Sequence, residues 1–162
     1  MIESQNRLVT TFIDLMRQGD LSCGFAESCT GGLLSSWITE FPGVSQYFKG
    51  SVVSYSNAVK QEVLQVRQTT LETHGAVSGA TAKEMLLGVR QLLKVDVAAA
   101  ITGIAGPTGG SSEKPVGLVF VAVVGPGFES VVKLSLKGDR REIQIQSCER
   151  ALELMIEGLQ RV

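Results

Sequence analysis

Phe25-Ala26-Glu27-Ser28-Cys29-Thr30-Gly31-Gly32 is the stretch on which the reading of this chain turns. An apolar approach ends in a hydroxyl, a thiol, a second hydroxyl and two glycines, and the amphipathic run Leu33, Leu34, Trp37, Ile38 and Phe41 begins at once. The pattern predicts a strand over 21–28, a tight turn, and a helix over 31–41 closed by Pro42-Gly43. A serine at such a corner stands beside unpaired backbone N–H groups at the positive end of a helix dipole, where anionic oxygen is favoured. Ser28 is therefore the candidate nucleophile.

Working outward, residues 4–18 place Leu8, Val9, Phe12, Ile13, Leu15 and Met16 on a 3.6-residue period that Gly19-Asp20 stops, which predicts a covering helix. Downstream, residues 51–55 read as a second strand, and Ser56-Asn57 can cap a helix carrying Val59, Lys60, Val63 and Leu64. A weak helical turn over 69–74 ends at Gly75. Ser78 caps a better helix over 79–94, with Met85, Leu86, Val89, Leu92 and Leu93 inward. The small apolar run 95–101 has the composition of a strand buried on both faces. Strands over 117–124 and 128–137, linked by Gly125-Pro126-Gly127, predict an antiparallel hairpin. Asp139-Arg140-Arg141-Glu142 has the form of a capping box and opens a last helix over 140–160.

Helices alternating with about five strands predict a single α/β domain, a three-layer α/β/α sandwich with a mixed sheet. Ligands of open sheets collect beyond the carboxyl ends of the strands. Ser28, Tyr55, Thr102 and Arg140 each follow a predicted strand end and are expected in one cleft.

Composition agrees with a compact fold. A chain of 162 residues buries roughly 70% of its unfolded surface, and 44% hydrophobic residues with 18 glycines argue against a disordered or coiled-coil chain. The net charge of −1 supplies no field for nucleic acid or an anionic membrane, so neither partner is expected. Three cysteines without a Cys-x-x-Cys pair indicate neither a disulfide framework nor a zinc site, and they suit a reducing cytoplasm. The N-terminus has no signal-peptide pattern, and no run reaches the ~18 apolar residues of a membrane span. A cytoplasmic chain without a metal is expected.

A serine attacks a carbonyl only if something takes its proton. His74, the single histidine, stands in a weak helical end that suits a surface or capping role, which sets aside a Ser-His-Asp scheme and a multi-histidine metal site. A lysine base remains. Lys60 is expected in the first turn of its helix, where the dipole opposes its charge. To act near neutral pH it must fall about three units from ~10.4, roughly 4 kcal/mol, of which a dipole supplies only about 0.3–1 kcal/mol. Burial must provide the rest; otherwise Lys60 is a solvated helix lysine. Tyr55 either relays a proton or packs at the strand end. Cys29 is a rival nucleophile, intrinsically better as a thiolate, although successive residues near a strand end point to opposite sides, so one of Ser28 and Cys29 faces the cleft.

Glu27 orients a base, binds a ribose hydroxyl, or is a hydrogen-bonded structural carboxylate. The segment Thr102-Gly103-Ile104-Ala105-Gly106-Pro107-Thr108-Gly109-Gly110 is richer in glycine than a turn needs, reading as a phosphate- or ribose-binding loop or as a surface loop. It matches neither the Walker pattern nor the dinucleotide fingerprint. Lys114 closes over the site or is solvated. Capping accounts for Asp139 and Glu142, whereas Arg140 is electrostatically misplaced at a helix start unless it meets an anion. Arg141 competes for that role or points to water.

Taken together, residues 26–32, Tyr55-Ser56-Asn57 with Lys60, Gly75-Ala76-Val77-Ser78, Thr102-Gly103-Ile104-Ala105-Gly106-Pro107, Lys114-Pro115-Val116-Gly117 and Gly138-Asp139-Arg140 resemble the CinA C-terminal domain family, from about residue 8 to the end. The resemblance implies nicotinamide-nucleotide amidohydrolysis, the family's PncC activity, which converts nicotinamide mononucleotide and water to nicotinate mononucleotide and ammonia in pyridine nucleotide (NAD) recycling. It places the family's nucleophile on Ser28, its tyrosine on Tyr55, its lysine base on Lys60 and its arginine on Arg140. Substrate contacts are expected from Glu27, Thr30, Gly31, Gly32, Thr102, Gly103, Ala105 and Gly106, with N–H groups near Thr30-Gly31-Gly32 at the oxyanion and the 102–110 loop with Arg140 on ribose and phosphate. No cofactor is implied, a homo-oligomer is, and the length suggests the stand-alone form. The alternative is a catalytically inactive nucleotide-binding regulatory module linked to competence or the DNA-damage response. That module would tolerate loss of Ser28 and Lys60; the enzyme would not.

Overall fold

The computed structural model describes residues 2–161. Along the chain lie α1 (Ile2–Gly19), β1 (Cys23–Glu27), α2 (Leu33–Thr39), a 3₁₀ turn (Val44–Gln46), β2 (Phe48–Val53), α3 (Asn57–Glu62), α4 (Gln68–His74), α5 (Gly79–Leu93), β3 (Val97–Gly103), β4 (Leu118–Gly125), β5 (Phe128–Ser135) and α6 (Arg140–Gln160). One five-stranded sheet has the order β2-β1-β3-β4-β5. β1 runs parallel to both β2 and β3, while β4 is antiparallel to β3 and to β5. The sheet is mixed, and helices cover both faces, as the alternation of elements predicts.

Side-chain alternation along the central strands sorts the two faces. Phe25, Val97, Ala99, Ile101, Val119, Val121 and Val123 enter one core with Phe12 and Met16 of α1, Leu34 and Ile38 of α2, and Ile143, Leu152 and Met155 of α6. Ala26, Ala98, Ala100 and Ala122 face the other way, against Ala82, Met85, Leu86 and Val89 of α5. Alanines on that face let α5 lie close to the sheet, which explains why the small run in β3 is buried on both sides. Among the described residues no helix is long and apolar enough to cross a membrane.

Three local expectations are corrected. β2 starts at Phe48 rather than 51, because Phe48 packs on Phe25 with ring centroids 5.4 Å apart and so extends the strand backwards. β3 starts at Val97 rather than 95, since the Asp96 carboxylate is held by the N–H and hydroxyl of Ser22 just before the strand. Leu92, expected inward, is half exposed, for α5 packs through the stripe 82, 85, 86, 89 and 93, and Leu92 falls at its edge.

From β1 the chain crosses to β2 on one side, then returns past β1 to β3 on the other. The carboxyl ends of β1 and β3 therefore border a topological switch point, the crevice in which open α/β sheets bind ligands.

Candidate functional site

Ser28 leaves β1 at this switch point, with its N–H donating to the Ile101 carbonyl of β3 at 3.0 Å. Gly31 and Gly32 follow at φ 60° and 98°, two successive left-handed residues that a side chain would strain, and they swing the chain into α2. The strand's alternation sends Glu27 to the opposite side from Ser28. There the fully buried Glu27 carboxylate accepts five hydrogen bonds: from Thr30 Oγ1 (2.7 Å), Gly32 N (3.1 Å), Leu34 N (3.1 Å), Ser35 N (2.9 Å) and Ser35 Oγ (2.6 Å).

That arrangement corrects two expectations. The first-turn amides of α2 are already taken by the protein's own carboxylate, so the helix start offers no vacancy for an anion beside Ser28. Glu27, Thr30, Gly31 and Gly32, expected at the substrate, are absent from the cleft wall. Glu27 follows its third reading, a hydrogen-bonded structural carboxylate, and Thr30 serves it as a donor. Gly31 N donates to the Ser28 carbonyl and Gly32 N to Glu27, so among the described residues the amides of Cys29 and Thr30 are the ones in this turn without an acceptor on another residue.

The base candidate comes from α3, which Ser56 caps by accepting from Val59 N at 3.2 Å. α3 has only six residues and Lys60 lies in its last turn, not its first, so the dipole argument fails. Burial replaces it. Lys60 is 1% exposed, and its Nζ donates to Ser28 Oγ at 3.0 Å and to the Ser54 carbonyl at 2.5 Å. Desolvation holds its pKa below the ordinary lysine value, against a smaller opposing effect of Cys29 nearby. A nucleophile, a base in contact with it, and a third group orienting the base are the three parts required of an activated hydroxyl. The third group here is the backbone carbonyl of Ser54, for which a sequence carries no signature.

Cys29 does not compete. Its side chain lies in the core, and burial pushes its thiol up to about 12, far from thiolate at neutral pH. Its carbonyl accepts from Gln144 Nε2 of α6 at 2.9 Å, a tie between the turn and the last helix that residue spacing does not suggest.

Tyr55 is mostly exposed, and its hydroxyl accepts from Arg140 Nη2 at 2.8 Å instead of joining Ser28 and Lys60. Arg140 Nη1 donates to the Gly106 carbonyl at 2.7 Å. Arg140 thus bridges the turn after β2 and the loop after β3, while Arg141 borders an adjacent hollow instead. Asp139 and Glu142 form the expected capping box. Thr102 is buried and donates to the Ala76 carbonyl at 2.8 Å. Lys114 neither covers the site nor floats in water: its Nζ donates to the carbonyls of His74 and Val77, tying the glycine-rich loop to the start of α5.

Ser28, Tyr55, Lys60, Thr102, Gly103, Ala105, Gly106 and Arg140 line one cleft of about 340 Å³, together with Cys29 and with Asn57, for which the residue pattern suggests only a helix cap. This volume lies within the ~300–1,000 Å³ range of small-molecule sites. No carboxylate is among the lining residues, and the basic groups are Lys60 and Arg140, a balance that suits an anionic ligand. No group of three or more His, Cys, Asp or Glu among the described residues is placed to hold a metal ion.

Fold and site define a three-layer α/β/α protein with a serine and a buried lysine in contact at the switch point of a mixed sheet. Residues 5–159 match the CinA C-terminal domain, and the chain belongs to that family. It is 42% identical over 157 residues to a CinA-like protein of Dictyoglomus thermophilum, covering 97% of this chain and 38% of that one. The chain thus spans well under half the length of that curated relative. The competence/damage inducible protein CihA of Agrobacterium tumefaciens superposes with a TM-score of 0.93 at 38% identity, over 97% of this chain and 96% of that one. A competence-damaged protein (CinA) superfamily protein of Klebsiella pneumoniae gives a TM-score of 0.93 at 32% identity, over 98% and 99% of the two chains.

Proposed function

We propose that this chain is a nicotinamide-nucleotide amidohydrolase, converting nicotinamide mononucleotide and water to nicotinate mononucleotide and ammonia in pyridine nucleotide recycling. The observation that carries the reading is the 3.0 Å contact between Lys60 Nζ and Ser28 Oγ, with Lys60 almost wholly buried. An uncharged Lys60 takes the Ser28 proton as Oγ attacks the carboxamide carbon, and the Ser54 carbonyl holds the amine in line. The reading assigns the oxyanion to the amide of Cys29, a residue that lines the cleft and whose N–H has no acceptor on another residue. Protonated Lys60 then returns its proton to the departing ammonia, leaving an acyl-Ser28. Water, deprotonated by the same amine, attacks the acyl carbon, and the proton goes back to Ser28 as nicotinate mononucleotide leaves. The cleft's lack of carboxylates and the guanidinium of Arg140 support a phosphate-bearing substrate.

Ammonia release from nicotinamide mononucleotide, measured for the wild type, Ser28→Ala and Lys60→Ala, tests the reading. Turnover by the wild type and its loss in both variants is expected. Equal rates in all three proteins would reject the mechanism, and nucleotide binding without turnover would favour the regulatory module instead.

A further inference from the structure

Glu27 does not line the cleft, yet it is joined to both halves of the reacting pair. Its carboxylate collects Thr30 Oγ1 and the amides of Gly32, Leu34 and Ser35, spanning the turn that carries Ser28 and the start of α2. Its own carbonyl accepts from Ser54 N at 2.8 Å, and the Ser54 carbonyl is the acceptor that orients Lys60 Nζ. Side chain and main chain of one residue therefore reach the nucleophile's turn and the base's acceptor together.

The same carboxylate decides which amides of the turn stay free. Without it, Gly32, Leu34 and Ser35 would be unpaired donors next to Cys29 and Thr30, and the turn would have several competing ways to satisfy them. With it, the amides of the turn left without an acceptor on another residue are those of Cys29 and Thr30. We infer that Glu27 is a positioning residue, whose fivefold acceptance fixes the turn after β1 and so holds Ser28 Oγ in reach of Lys60. This inference rests on the serine–lysine reading but not on the identity of the substrate.

A glutamine at 27 keeps the size and replaces one acceptor oxygen by an NH₂ group, which faces other donors and forces the turn to give. Displacements near 1 Å at a reacting centre cost up to roughly 100-fold in rate. The experiment compares wild type, Glu27→Gln, Thr30→Val and Thr30→Ser by two readouts. One is kcat and KM for ammonia release from nicotinamide mononucleotide. The other is the rate of Ser28 sulfonylation by phenylmethylsulfonyl fluoride, located by mass spectrometry. Circular dichroism and thermal melting establish that each protein is folded.

Glu27→Gln and Thr30→Val are expected to lower kcat and Ser28 labelling together, by roughly 10- to 100-fold, with KM within about threefold of wild type. Thr30→Ser, which keeps the hydroxyl bonded to Glu27, restores both. A folded Glu27→Gln protein that labels and turns over at the wild-type rate overturns the inference. If Glu27→Gln does not fold, Thr30→Val decides, and wild-type behaviour there overturns it equally. Absence of turnover by the wild type, with Ser28 labelling still sensitive to Glu27 and Thr30, refutes the substrate reading and upholds this one. A wild-type Ser28 inert to both reagent and substrate refutes both.

Discussion

Replacing Lys60 by methionine removes the buried amine while keeping most of the side chain's bulk, and it separates the electrostatic from the catalytic role of this residue. The Ser54 carbonyl loses its donor inside the protein, at a cost of about 1–3 kcal/mol for an unpaired buried group. Ser28 Oγ borders the cleft and can turn to water, so it adds little. Against this stands proton linkage. The Lys60 pKa is lowered by folding, so between the lowered value and ~10.4 the unfolded chain binds more protons than the folded one. Wild-type stability therefore rises with pH through that window, by at most about 1.4 kcal/mol per unit, and is level below it, where both states are charged, and above it, where both are neutral. The methionine variant lacks this dependence. It should be the less stable protein by about 1–3 kcal/mol above pH 10.5, with the gap narrowing or reversing as pH falls. Turnover should drop by about 10²–10⁴, the usual contribution of a general base. Urea denaturation from pH 6 to 10.5, with ammonia release across the same range, measures both. A stability gap constant with pH, or turnover within threefold of wild type, would refute the argument that burial keeps Lys60 available as a base.

On the proposed reading Arg140→Ala raises KM for nicotinamide mononucleotide by about tenfold, the equivalent of one charge-assisted hydrogen bond, and leaves the dephosphorylated riboside nearly unaffected; an unchanged preference between the two would remove Arg140 from the phosphate. Cys23, Cys29 and Cys148 are buried, with thiols pushed to about 12 for the first two and upwards for the third, so iodoacetamide at pH 8 should leave the native protein unlabelled and modify all three after unfolding. Rapid native labelling would contradict the packing. At Gly88 a Cβ would run into the backbone carbonyl of Leu64, which predicts that Gly88→Ala destabilises by about 1–3 kcal/mol in urea denaturation with the m-value unchanged; a neutral substitution would mean that α5 and the segment after α3 can separate freely.

The legible part of the fold was carried by periodicity and punctuation. The α6 bounds and its capping box, the β4–β5 hairpin, and Ser56 and Ser78 as N-caps all follow from residue type and spacing over a few positions, and the structure has them there. Strand starts are less legible, because Phe48 joins β2 through a ring contact with Phe25, and Asp96 stays outside β3 through its bonds to Ser22, both distant in the chain. In the site, the candidates at strand ends do share one cleft, yet their partners were not readable. Tyr55 was paired in sequence with Lys60 and is bonded in space to Arg140.

By itself the sequence determined an α/β/α sandwich, the corner that presents Ser28, and the short list of groups able to act on it, because hydrophobic period, turn residues and caps are local properties. Only the tertiary structure decided that Lys60 loses its water and meets Ser28, that Glu27 fills the start of α2 in place of a ligand, and that Cys29 is turned into the core. The Lys60 outcome depends on desolvation and on a partner 32 residues away in the chain, met only once the sheet has brought β1 and β2 side by side, while the Glu27 and Cys29 outcomes depend on how the turn after β1 folds back on its strand and packs into the core.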